Sequence, residues 1–191
     1  LKGAVLKSIY PSPELREMSD VDIMIYEKSL ERAGVVVESM GFEKVEAIKH
    51  HVIYKKTPGL ILEVHWDLYD KNVDREQYMY FSENFRAVKK PGSKFAYEFE
   101  KEDFYVYMIA HMAKHFYETG CGIRNLVDIY VFQNKYGAVM NQVILKKELE
   151  KCGLTAFEKN VRELAFNWLE NKQGSKIQQN LFFYMLDCGI Y

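Results

Sequence analysis

Hydrophobic positions recur with two different periods along this chain, and the change of period divides it in two. Val21-Asp22-Ile23-Met24-Ile25 is β-branched and apolar and reads as a largely buried strand. Ahead of it, Gly3 to Ile9 predicts a short helical segment, which Pro11-Ser12-Pro13 stops because proline cannot continue a helix. From Tyr26 to Met40 apolar residues fall at helical spacing (Leu30, Ala33, Val37, Met40), and Gly41 supplies the stop. A hairpin signal follows: Ala47 to Tyr54, a turn at Lys56-Thr57-Pro58-Gly59, then Leu60 to Leu68. From Lys101 onward strand signals are few. Helices are predicted over Phe104–Tyr117, Arg124–Tyr136, Val143–Cys152 and Phe157–Leu169, punctuated by glycines, with a last apolar stretch from Asn180 to Leu186. The expected fold class is α+β: a small mixed sheet with flanking helices over residues 1–92, then an all-helical domain over 93–191, divided near Pro91-Gly92-Ser93.

Composition narrows the function classes. With 191 residues the chain is long enough for a real core without disulfide staples. A net charge of −1 gives no strong nucleic-acid signal and no pull toward an anionic membrane. Charges interrupt every apolar run well before the roughly 18 residues that a membrane helix needs, and Lys2 and Lys7 break the only candidate signal-peptide core. Cys121, Cys152 and Cys188, odd in number and widely spaced, suit neither a disulfide framework nor a zinc knuckle and read as reduced thiols of a cytoplasmic protein. A start at Leu1 that runs straight into a helix-forming stretch suggests a fragment with sequence missing upstream.

The candidate chemistry lies in acids on strands. Asp20 and Asp22 flank Val21, so in a strand both carboxylates emerge on one face. Two such groups repel each other and resist desolvation unless a cation sits between them, and oxygen donors of this kind suit Mg²⁺. The acid-x-acid pattern alone is uninformative: five such pairs occur where about four arise by chance. What sets this pair apart is its apolar strand. In Leu60–Leu68, Leu62, Val64, Trp66 and Leu68 share one face while Glu63, His65 and Asp67 share the other, which is either a solvated outer face or the lining of a site.

Leu1-Lys2-Gly3-Ala4, Arg16, Ser19-Asp20-Val21-Asp22-Ile23, a helix ending in Met40-Gly41-Phe42, and Leu62-Glu63-Val64-His65-Trp66 together resemble the DNA polymerase beta-like nucleotidyltransferase superfamily. The closer resemblance is to its bacterial branch of uncharacterised nucleotidyltransferases, and it reaches on to His111-x-x-x-His115 and the helix start from Arg124 to Asp128. What it implies is phosphoryl transfer assisted by two Mg²⁺ ions. Asp20 and Asp22 would bind the ions, and Glu63 would hold the catalytic one and help deprotonate an acceptor hydroxyl. A nucleoside triphosphate would be the substrate and pyrophosphate the leaving group, with a small molecule or another protein as acceptor. Gly3 would let the backbone approach the triphosphate, and Lys2 and Arg16 would contact its oxygens.

Further residues carry weaker signals. His65, on the face of Glu63, is placed near the substrate, or orients a carboxylate from behind. Arg124 either supports its helix through Asp128 or contacts phosphate. His111 and His115 share a helix face and could share a metal, although Met112 stands where a zinc protease needs glutamate. The many aromatic residues fall mostly at helical spacing and point to core packing. Besides the enzyme, two other classes fit the residues: a catalytically weak or inactive nucleotide-binding regulatory module of the same fold, and a structural metal-binding protein using the histidines.

Overall fold

The structure, a computed structural model, describes residues 1–84 and 86–188. It divides into two compact units, Leu1–Asn84 and Phe85–Tyr191. The fold is α+β, as the periodicity predicts: a small mixed sheet with helices, then C-terminal helices.

The first unit runs α1 (Lys2–Lys7), β1 (Val21–Met24), α2 (Leu30–Ser39), β2 (Glu43–Ile48), β3 (His51–Lys56), β4 (Leu60–His65) and α3 (Arg75–Asn84). The four strands form one sheet in the order β1-β4-β3-β2, in which only β1 and β4 run parallel. The hairpin register Val52↔Val64 and Tyr54↔Leu62 puts apolar side chains on one face. There Val52, Tyr54 and Val64 close over Val37 of α2, with Leu30, Phe42 and Trp66 packed around them. The opposite face is therefore left to polar residues, and β1 joins the sheet at the edge of β4, in parallel, with Asp22 beside Glu63.

Several elements differ from the expectation. The single strand expected over Ala47–Tyr54 is two strands, β2 and β3, because the chain turns at Lys49-His50. The strand expected to be largely buried, β1, lies at the sheet edge and leaves Val21, Ile23 and Met24 exposed. The strand expected to reach Leu68 ends at His65, and the helix expected from Tyr26 begins at Leu30 after a short 3₁₀ turn over Glu27–Ser29. Asp67 consequently leaves the acid–histidine face, and its charged neighbours are Glu27 and Lys71.

The second unit opens with a hairpin that the periodicity does not predict, β5 (Ala87–Lys89) and β6 (Tyr97–Phe99), turning through Pro91-Gly92-Ser93 with Gly92 at φ +74°. Five helices follow: α4 (Lys101–Glu118), α5 (Arg124–Tyr136), α6 (Gln142–Lys151), α7 (Thr155–Leu169) and α8 (Lys176–Asp187). Asn141 caps α6 by accepting from the Val143 and Ile144 amides, and Ser175 with Gln178 forms a capping box on α8. The long helix α4 is buried from Asp103 to Ala110 and packs its aromatic rings on Phe132 of α5. Two charged groups inside this unit are paired: Asp103 takes the Arg86 guanidinium through both carboxylate oxygens, and Glu158 accepts from Tyr105 at 2.9 Å and Arg162 at 2.7 Å.

Candidate active site

The polar face of the first unit's sheet gathers its chemistry by register. Asp22 pairs with Glu63 across the parallel β1–β4 ladder, and His51 pairs with His65 across the antiparallel β3–β4 ladder. Since β4 alternates, Glu63 and His65 share a face and reach the same space as Asp22 and His51. One ligand atom from each of Asp22, Glu63 and His65 lies within 4.8 Å of the other two. His65 stands between the acids, its Nε2 3.1 Å from Asp22 Oδ1 and 3.3 Å from Glu63 Oε2. His51 stacks on it with ring centres 4.6 Å apart and sets its own Nε2 3.6 Å from Glu63 Oε2.

These neighbours separate the acids electrostatically. Burial raises the Asp20 carboxyl, and the charges of Asp22 and Glu63 raise it further, so it holds a proton above the ordinary aspartate range. For Asp22 burial acts the same way, but the His65 hydrogen bond and charge, with help from Lys2, outweigh it and leave the group below its usual value. Glu63 is lowered chiefly by its hydrogen bond to His65. His65 is raised: burial works against its charged form, but the two carboxylates prevail. Burial lowers His51, and the charge of His65 adds to it.

A cationic side completes the cluster. The Leu1 main-chain nitrogen donates to the Asp22 carbonyl at 2.6 Å, so the start of α1 is tied to β1 and Lys2 acts on Asp22. Arg16 is buried, with its guanidinium beside Gly3. A Cβ on Gly3 would meet Met18 Cε at 3.0 Å and Arg16 Nη1 at 3.5 Å. Sequence order thus brings Lys2, Gly3, Arg16, Asp20, Asp22, Glu63 and His65 into the first unit, while Arg124 is the first residue of α5 in the second. The residues that sequence reasoning passed over are His50 and His51; the signal was a His-His pair opposite a strand carrying a third histidine, readable only with the register known.

The donor set can be tested against the cations that the resemblance implies. Asp22 and Glu63 direct carboxylate oxygens into one space, and their charges add to burial in raising the Asp20 carboxyl. Hard oxygen donors that repel one another in this way fit Mg²⁺. His65 also offers a nitrogen to that space, which Mg²⁺ does not prefer, so its position suits the role of a hydrogen-bond donor to the acids.

The core of the first unit is thus an acid-bearing parallel pair continued by an antiparallel hairpin, with α2 on the other face. The chain belongs to the family described as uncharacterised nucleotidyltransferase, whose profile it matches over residues 1–170. Among solved structures it is similar to an antigenic nucleotidyltransferase-like protein from Paracoccidioides brasiliensis, at 17% sequence identity and a TM-score of 0.45, over 94% of this chain and 87% of that one. No curated protein matches the sequence. Among the described residues, no helix is long and apolar enough to cross a membrane.

Proposed function

We propose that the protein transfers a nucleoside monophosphate from a nucleoside triphosphate to a hydroxyl acceptor with release of pyrophosphate, in a Mg²⁺-dependent reaction. The observation that carries this reading is the convergence of Asp22 and Glu63 in a family of nucleotidyltransferases, with Asp20 coupled electrostatically to both. Asp20, Asp22 and Glu63 would hold the Mg²⁺ ions, which when bound supply positive charge to the triphosphate and to the attacking oxygen.

The rest of the work falls to the chain's own groups. Lys2 and Arg16 bind phosphate oxygens, and Gly3 lets the backbone approach them. His65 donates through Nε2 to Asp22 and Glu63 and holds both carboxylates in orientation. The acceptor oxygen forms a bond to the α-phosphorus as the bond from that phosphorus to the bridging oxygen breaks, and pyrophosphate carries away the electron pair. The acceptor proton goes to a carboxylate oxygen of the cluster. Glu63, on β4 beside Asp22, is the group that takes it.

The test incubates the protein with Mg²⁺ and a triphosphate labelled at the α-phosphorus, then follows label onto acceptor and thermal stabilisation by the nucleotide. Wild type is expected to show both, and Asp20→Asn/Asp22→Asn neither. Stabilisation without transfer across a broad acceptor set would favour the inactive nucleotide-binding module, and stabilisation that survives in the double variant would overturn the site.

A further inference from the structure

Behind the carboxylates lies a second cluster. One ring nitrogen from each of His50, His51 and His65 lies within 4.8 Å of the other two. The rings form a tight group: His51 and His65 are stacked at 4.6 Å, His50 stands edge-on to His51 at 4.7 Å, and His50 and His65 are 5.8 Å apart. Backbone pairing fixes this arrangement. His51 faces His65 in the β3–β4 register, and the Trp66 amide donates to the His50 carbonyl at 3.1 Å, which holds the β2–β3 turn against the end of β4.

The hydrogen bonding of His51 and His65 is one-sided. Nε2 of His65 meets Asp22 and Glu63, and Nε2 of His51 approaches Glu63. Nδ1 of each ring is buried and, among the described residues, meets no hydrogen-bond partner. A neutral imidazole that donates from one nitrogen presents a lone pair at the other, and burying that lone pair unanswered is costly. The same geometry, with carboxylate on one nitrogen and an open lone pair on the other, is how proteins prepare histidines as metal ligands.

We propose that His50, His51 and His65 bind a divalent transition-metal ion of borderline softness, zinc or a chemical equivalent, at a site separate from the oxygen-lined Mg²⁺ position. Imidazole donors select such ions over Mg²⁺, which takes oxygens. With zinc–nitrogen bonds of about 2.0–2.1 Å, tetrahedral ligand nitrogens stand about 3.3 Å apart. The observed 4.8 Å limit therefore requires a closure of about 1.5 Å at most, within reach of side-chain rotation. Three nitrogens leave a fourth position for water. The bound ion fixes His65 as an Nε2–H donor to Asp22 and Glu63, and so stiffens the acids that the nucleotide site needs. This inference does not depend on the proposed reaction: the ion is held whether or not nucleotide is turned over.

The experiment uses the full chain, stripped with chelator and titrated with Co²⁺ and then Zn²⁺. Expected are one equivalent of Co²⁺ with the intense visible bands of a tetrahedral, nitrogen-rich site, displacement by Zn²⁺, and zinc-induced shifts of three histidine ring nitrogens in ¹⁵N spectra of wild type. His50→Ala and His51→Ala should each weaken binding at least tenfold, while His111→Ala/His115→Ala should leave it unchanged. Asp22→Asn, expected to abolish nucleotidyl transfer, should keep the cobalt equivalent, so this proposal and the reaction fail independently. Weak octahedral cobalt spectra, binding that survives His50→Ala and His51→Ala but not Asp22→Asn, or dependence on His111 and His115 would overturn the site. The wild-type nitrogen spectra decide the matter even if a histidine variant does not fold.

Discussion

Gly3→Ala separates the functional role of α1 from its stability. The new methyl would lie 3.0 Å from Met18 Cε, inside the about 3.5–4.0 Å of a favourable carbon–carbon contact, and 3.5 Å from Arg16 Nη1. Both neighbours are ends of flexible side chains. Moving Met18 off its preferred rotamer costs about 0.5–1.5 kcal/mol, whereas alanine gains up to about 1 kcal/mol over glycine in a helix, less near its end. The two nearly cancel, and the melting temperature should change by no more than about 4 °C. The methyl, however, stands where the triphosphate is proposed to approach the α1 backbone. Loss of one charge-assisted hydrogen bond to a phosphate, about 1.5–3 kcal/mol, corresponds to nucleotide binding weakened about tenfold to a hundredfold. Calorimetric titration with a non-hydrolysable triphosphate and Mg²⁺, alongside thermal denaturation, measures both quantities. In an Arg16→Ala background Gly3→Ala should cost the same again, because the two act on the phosphates separately. Unchanged affinity in the single variant would refute the idea that the triphosphate approaches the backbone at Gly3.

Other perturbations probe the sheet, the helical unit and the histidine. Val64→Ala removes a side chain 1% exposed at the centre of the sheet–α2 core and should cost about 2–3 kcal/mol in denaturant melts; a loss under 0.5 kcal/mol would contradict that packing. Tyr105→Phe deletes the 2.9 Å hydrogen bond to Glu158, which keeps Arg162 at 2.7 Å, so the loss should be about 1–2 kcal/mol, and no loss would mean the hydroxyl is not engaged. His65 is raised by Asp22 and Glu63, so without added cations its contribution to stability is full below its unfolded pKa of about 6.5 and disappears as pH climbs through the higher folded value. The stability difference between wild type and His65→Gln should therefore shrink from pH 6 upward; a difference that grows with pH would contradict the pairing.

How much of this was legible in the sequence depends on what each element contributes to a pattern. Helix α5 matches its expected span from Arg124 to Tyr136 because its apolar stripe, Leu126, Ile129 and Phe132, is fully buried. Alternation in β4 was readable for the same reason: Val64 is core and Glu63 is not. By contrast, β2 from Glu43 to Ile48 is an exposed edge strand with no buried face, and the turn at Lys49-His50 carries none of the usual glycine, proline or asparagine. Two strands therefore looked like one. Helix α3 is mostly polar, and β5 and β6 are three residues each, too short for any period to register. In the site, the acid–histidine face of β4 was visible from alternation alone, but the partnership of His51 with His65 depends on a register that only the folded hairpin sets.

In the proposed reaction Asp22 and Glu63 share a cation that carries the triphosphate. Crystals grown with Mn²⁺ in place of Mg²⁺ and a non-hydrolysable nucleoside triphosphate, measured at the manganese absorption edge, test it directly. An anomalous peak is expected in contact with carboxylate oxygens of both Asp22 and Glu63, with phosphate oxygens completing its coordination. A triphosphate bound in the first unit with no ion touching Glu63, or manganese held away from both acids, would contradict it.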